Sequence, residues 1–248
     1  MKDSPVILAL ETATLGGSVC LTRGNTMLAA RIGDPETSHS NSLLSDVNKS
    51  LEHANILLSD VDLFACASGP GSFTGLRIGL ATVKALAITV GRPCVGISTL
   101  QAIARTAGLS RGTVALLPAG RGEVFVQFLS VTADGSVVER DSPAHLSPHI
   151  MLDRYSGLGS ITWAGPGAQV HRELIRSYAA ARQIAFSDNS SKFLAESGWS
   201  LAPEADNIAE HVAGLALLKL QCGETADPHR LTANYVRPAD AAFKEQCR

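Results

Sequence analysis

The apolar positions of this chain fall into two series with the same grammar. Residues 6–10 form a short apolar run, bounded by a turn of small residues at 12–17. Runs at 18–22 and 27–32 follow, joined through Arg23-Gly24-Asn25. Short runs separated by glycine turns predict a meander of paired strands. Leu43, Leu44, Val47 and Leu51 then share one helix face, with Asp46, Lys49 and Glu52 off it. Residues 61–67 read as a buried strand, Gly69-Pro70-Gly71 as a turn, about 74–90 as a long helix and 94–97 as a strand.

The second series reads the same way. A strand at 114–117, a turn at 118–122 and a strand at 123–131 lead through Asp134-Gly135 to a third strand at 137–140. A helix around 148–154 and a strand at 161–164 run into Gly165-Pro166-Gly167 and a helix over 168–181. This repetition predicts an internal structural duplication with little sequence identity between the copies. Three strands followed by alternating helices and strands give a mixed sheet covered by helices. The expected class is α/β, with lobes at 1–100 and 101–248; a helix at 206–221 and the tail after Pro228 close the second stretch, and the sequence does not say which lobe they pack on. Two such ribonuclease H-like lobes resemble the actin-like ATPase (ASKHA) superfamily.

Composition narrows the function. The chain has 248 residues, 45% hydrophobic and 18% charged, enough for a sizeable core. A net charge of -2 with no basic run gives no footing for autonomous nucleic-acid binding. The first apolar run is too short for a signal-peptide core, and no stretch nears the ~20 apolar residues of a membrane span. The expectation is a cytoplasmic protein without a membrane partner. Cys20, Cys66, Cys94, Cys222 and Cys247 form no C-x-x-C pair, and the first three lie in strand-like runs, as buried reduced thiols do.

The turn at 69–75 has two readings. A helix N-terminus exposes unpaired N–H groups, so Glu11, Gly69, Gly71 and Ser72 are candidates for holding an anion or phosphate. Alternatively the turn is a tight strand-to-helix connection capped by Ser72 or Thr74. Its spacing misses the dinucleotide fingerprint, and no Lys-Ser/Thr pair ends it. The helix that follows is apolar nearly all round. Leu76, Leu80, Val83, Ala87 and Val90 line one face, Ile78, Ala81, Ala85 and Ile88 the other, and Arg77 and Lys84 are its charges. Such a helix is either central to its own fold or meets a partner.

The runs ILALETAT, ASGPGSFTGLRIGLATVKALA, GISTLQAIA and RGEVFVQF, in this order, resemble the TsaB (YeaZ) family. The tail Asn234-Tyr235-Val236-Arg237 is similar to that family's closing Tyr-x-Arg pattern. The match is strongest over 6–104 and weakest over about 140–205. The resemblance implies a non-catalytic subunit in tRNA threonylcarbamoyladenosine synthesis. It implies docking to a TsaD-type enzyme that modifies adenosine 37 of tRNA, with a TsaE-type ATPase joining, homodimerisation when alone, and only indirect contact with tRNA. By carry-over the partner face takes Leu43, Leu44, Val47, Leu51, Arg77, Ile78, Ala81, Lys84, Ala85 and Ile88.

The same resemblance bears on chemistry. TsaD-type proteins hold a metal on an H-x-x-x-H pair; here His39 has Leu43 at the second position, so no metal site is expected. Superfamily ATPases place one carboxylate at the end of each lobe's first strand. Here these positions hold Glu11 and Pro118. Glu11 either bonds the 12–17 turn or contacts a metal. No catalytic residue and no intrinsic cofactor are expected, with ATP and magnesium confined to the partnered state. A kinase-like ATPase using the interlobe cleft is the alternative. A peptidase built on Ser68 or Ser72 is weaker: no G-x-S-x-G elbow is present, and His39, His53 and His145 are not favoured by spacing.

Overall fold

The computed structural model describes residues 4–34, 36, 39–188 and 197–236, with 39–41 as backbone alone. Strands β1 (Val6–Glu11), β2 (Ser18–Arg23) and β3 (Thr26–Ile32) form an antiparallel meander. Helix α1 (His39–Ala54) leads to β4 (Leu63–Gly69), which lies parallel to β1 with Ala9 opposite Ala65. Helix α2 (Phe73–Val90) crosses to β5 (Cys94–Ser98), parallel to β4. The sheet order is β3-β2-β1-β4-β5. Every residue of β1 and β4 is buried. Central strands covered on both faces carry continuous apolar runs rather than alternation.

After helix α3 (Thr99–Thr106) the pattern recurs. Strands β6 (Ser110–Gly120), β7 (Glu123–Val131) and β8 (Val137–Glu139) pair antiparallel, and β9 (Ala144–Leu146) also pairs with β7. Helix α4 (Pro148–Tyr155), strand β10 (Ser160–Ala164), helices α5 (Pro166–Val170) and α6 (Arg172–Ala181), and strands β11 (Phe186–Ser187) and β12 (Gly198–Leu201) follow. The order β8-β7-β6-β10-β12 repeats the first sheet strand for strand, with β11 beyond it. This is the expected duplication of ribonuclease H-like lobes.

The two lobes exchange a helix. Helix α7 (Ile208–Gln221) follows the second sheet in the chain, yet it lies against β1, β2, β4 and β5 of the first. In return α3 lies against β6 and β7 of the second sheet, and against α7. One apolar core therefore joins α2, α3 and α7 to both sheets. A second core, around Trp163 and Trp199, belongs to the second lobe.

Local rules set the boundaries of α2. Ser72 caps its start by accepting from the Gly75 N–H at 3.2 Å, and Gly91, left-handed at φ 64°, ends it. The helix expected over 168–181 is broken at His171, whose φ of -100° and ψ of 16° are not helical. The turn expected at 118–122 is narrower: β6 runs to Gly120, and Arg121 and Gly122 carry the reversal to Glu123 at positive φ. The first strand of the second lobe starts at Ser110, four residues before the expected 114.

One membrane-span expectation needs correction. Among the described residues α2 alone is long and apolar enough to cross a bilayer by length and composition, with a mean hydropathy of 1.4. It is an element of the first lobe: Gly75, Leu76, Gly79, Leu80, Val83 and Ala87 are buried, and it packs on β4. Each large buried residue of that face contributes about 1.5–3 kcal/mol. Ile78, Leu86 and Val90 pack against the edge of the core, and Ala81, Ala85 and Ile88 are exposed.

Candidate functional site

The glycines of the 69–79 run are explained by what stands against them. A Cβ on Gly75 would lie 1.9 Å from the Thr12 carbonyl oxygen, and one on Gly79 2.3 Å from the Thr12 Oγ1. Gly71 faces Ala13 in the same way, and Gly69, at φ 121°, faces the Asn234 carbonyl oxygen at 2.2 Å. Hydrogen bonds fix these approaches. Thr12 Oγ1 donates to the Gly75 carbonyl at 2.8 Å, the Ser72 N–H donates to the Ala13 carbonyl at 2.9 Å, and the Asn234 N–H to the Ser68 carbonyl at 2.7 Å. The turn is thus a junction where β1, β4, α2 and the chain's last described segment meet backbone to backbone.

Glu11 and Pro118 line one interlobe cleft of about 1050 Å³, together with Gly71 and Ser72. The Glu11 carboxylate is buried and accepts from the Thr14 N–H at 2.8 Å and the Thr14 hydroxyl at 2.7 Å, inside the 12–17 turn. Of the two readings of Glu11, the hydrogen bond to its own turn is the one the geometry displays. The described residues supply little of what a magnesium nucleotide needs. The Ser72 N–H is engaged by Ala13, Ser72 Oγ by Gly75, and the second carboxylate position is proline. Among the described lining residues there is no Lys, Arg or His to meet phosphates, whereas Glu11, Glu204 and Asp206 are present.

Two of the remaining chemical candidates, Ser68 and His145, are engaged by neighbours, and His53 is exposed on α1. Ser68 Oγ donates to the Ile97 carbonyl at 3.2 Å. His145 pairs with Glu123 at 2.8 Å. Leu43 sits in the apolar core, while the side chain of His39 lies outside the described residues. Arg237 of the Tyr-x-Arg pattern lies outside them too. Among the described residues no three of His, Cys, Asp and Glu converge. Burial pushes the Cys20 thiol up to about 12 and Cys94 to about 11, and raises Cys66 as well.

The partner-face candidates divide. Leu43, Val47 and Leu51 are buried at 5%, 1% and 7% exposure in the first lobe's own core, so they offer nothing to a partner. Leu44, one residue along, is 58% exposed. On α2, Arg77, Ala81, Ala85 and Ile88 are exposed, and Ile78 and Lys84 are half-buried. The helix therefore buries one side in its own lobe and turns an apolar side outward, beside α1, which it touches. Sequence reasoning missed Phe73. Its ring lies 3.8 Å beneath the Arg77 guanidinium and 5.4 Å from the Tyr235 ring, joining this outer face to the mouth of the cleft. The i, i+4 spacing of Phe73 and Arg77 was the available signal.

Comparison with known proteins agrees with this architecture. The family profile "TsaD: tRNA N6-adenosine threonylcarbamoyltransferase" matches residues 34–226. The chain is 33% identical over 172 residues to "tRNA threonylcarbamoyladenosine biosynthesis protein TsaB" of Escherichia coli K12, covering 68% of this chain and 74% of that protein. The protein of the same name in Bacillus subtilis 168 is 30% identical over 120 residues, or 48% and 52% of the two chains. Among solved structures, "YeaZ from Pseudomonas aeruginosa" superposes with a TM-score of 0.71 at 25% identity, covering 93% of this chain and 99% of that one. A second Pseudomonas aeruginosa structure, of "an uncharacterized protein with similarity to peptidase YEAZ", gives 0.73 at 25%, over 94% and 100%. With the profile spanning most of its length and the duplicated sheets and glycine junction in place, this chain belongs to the TsaB (YeaZ) family, within the wider TsaD group.

Proposed function

We propose that the chain serves tRNA threonylcarbamoyladenosine biosynthesis as a non-catalytic subunit that docks on a TsaD-type enzyme and activates threonylcarbamoyl transfer to adenosine 37. The observation that carries this reading is the outward side of α2. Arg77, Ala81, Ala85 and Ile88 are exposed on a helix whose opposite side is in the core, an arrangement suited to close helix–helix approach. The engaged glycine junction and the proline at the second carboxylate position support a role without chemistry of its own. On this reading the same surface pairs two copies when the enzyme is absent, and a TsaE-type ATPase joins the assembly. Any ATP and magnesium belong to that partnered state, tRNA contact is indirect, and the setting is cytoplasmic.

The test is co-expression with the TsaD-type protein of the same organism, followed by gel filtration with and without ATP. Co-elution as one complex is expected. Separate elution of two folded proteins would end the proposal, and magnesium-dependent phosphate release by the isolated chain would return it to the ATPase reading.

A further inference from the structure

The interlobe cleft combines features that a nucleotide site does not. Leu15, Ile32, Val170, Phe73 and Tyr235 line it, and they are 84%, 60%, 69%, 37% and 45% exposed. Five of the large apolar residues that the described surface exposes thus gather at one cleft, drawn from both lobes: Leu15 from the turn between β1 and β2, Ile32 from the end of β3, Val170 from the end of α5. Small-molecule pockets enclose their apolar lining; a rim of exposed apolar side chains around an open cleft of about 1050 Å³ is the anatomy of a surface that another chain covers.

The charge of the lining selects the kind of chain. Glu204 and Asp206 are exposed at the cleft and Glu11 lies deeper, while no described lining residue is cationic. Arg77 stands outside the lining, stacked on the Phe73 ring; the carboxylates of the lining itself attract Lys and Arg and disfavour phosphates beside them. We infer that this cleft is a second docking site, distinct from the Ala81, Ala85 and Ile88 stretch of α2 and meeting it at Phe73, for a protein segment that pairs large apolar side chains with lysine or arginine. The apolar side chains of the segment meet Leu15 and Val170 across the cleft, and its cations face Glu204 and Asp206. The site does not depend on the reading of α2 given above.

Panning of a random 12-residue phage-displayed peptide library on the purified chain tests this. Enriched peptides are expected to combine aromatic or aliphatic residues with Lys or Arg. Their affinity, read by fluorescence anisotropy on the synthetic peptides, is expected to fall about tenfold in Leu15→Ser and in Val170→Ser, each removing one apolar contact. Both residues are exposed, and circular dichroism confirms that the variants fold. Ile150→Ser, on α4 and 57% exposed outside the cleft, is expected to change nothing. Enrichment of acidic peptides, no enrichment, or binding indifferent to both cleft variants would overturn the inference. So would displacement of the peptide by magnesium ATP at comparable affinity. Peptides sensitive only to Ala81→Arg would place binding on α2 and count against the cleft.

Discussion

The carbonyl oxygen of Thr12 occupies the space where Gly75 would carry a Cβ, 1.9 Å away, and the hydroxyl of the same threonine donates to the Gly75 carbonyl at 2.8 Å. The first turn of α2 is therefore seated on the turn after β1. A substitution at Gly75 separates two effects of opposite sign. Helix propensity alone makes Gly75→Ala stabilising by up to ~1 kcal/mol. The clash is with backbone, which cannot swing aside, and overpacking of this kind costs about 1–3 kcal/mol or more. Gly75→Ala is expected to lower the urea midpoint at unchanged slope; a raised midpoint would mean that the junction yields.

The two sides of α2 are expected to respond differently. Leu76→Ala, at 1% exposure, removes a core side chain and is expected to cost ~2–5 kcal/mol. Ala81→Arg adds a charge to an exposed position and is expected to stay within about 0.5 kcal/mol of the parent in the isolated chain. Urea unfolding of both variants checks this. If Ala81→Arg unfolds the monomer, the outer side is structural.

Half-buried His211 on α7 supplies a pH dependence. Desolvation, with Arg105 nearby adding repulsion, lowers its pKa to about 4, so the fold holds it neutral. The unfolded chain binds the proton first as pH falls through ~6.5. Its contribution is fully present above that value and is lost progressively towards pH 4, amounting to ~2–3 kcal/mol. Urea midpoints at pH 7, 5.5 and 4.5 are expected to fall more steeply for the parent than for His211→Gln. Parallel slopes would contradict this.

Thiol chemistry reports the same core. Cys20, Cys66 and Cys94 are buried with raised pKa values, whereas Cys222 is exposed at the end of α7. In a Cys222→Ser, Cys247→Ser double variant, reaction with a chromogenic disulfide is expected to be slow until urea unfolds the chain, then to release three thiols. Fast release from the folded variant would place one of the three at the surface.

Much of this architecture was legible in the residues, and what was not has identifiable causes. The apolar runs and the two Gly-Pro-Gly turns gave the duplicated sheets, because each sits at a strand end where a helix must start. Ser72, one of two cap candidates, marks the start of α2 because caps are local; Gly91, which ends it, is not read from the sequence. Periodicity also finds the buried side of α1, but it cannot name what buries it; the resemblance puts Leu43, Val47 and Leu51 on a partner face, whereas their own lobe covers them. The exchange of α3 and α7 rests on contacts between Leu100, Ile103, Val212 and residues far along the chain, which no local window holds. Strands β11 and β12 are two and four residues long and carry little alternation, so they escaped notice. The cleft, assembled from both lobes and the segment ending at Val236, has no signature in any one stretch.

The central claim is that the exposed side of α2 is the working surface. It is tested most directly by titrating the purified TsaD-type enzyme with the parent chain and with Ala81→Arg, reading binding by calorimetry and threonylcarbamoyl transfer to tRNA. The account predicts saturable binding and stimulated transfer by the parent, with both lost in Ala81→Arg while its urea midpoint is unchanged. Equal binding and stimulation by a folded Ala81→Arg chain would contradict it.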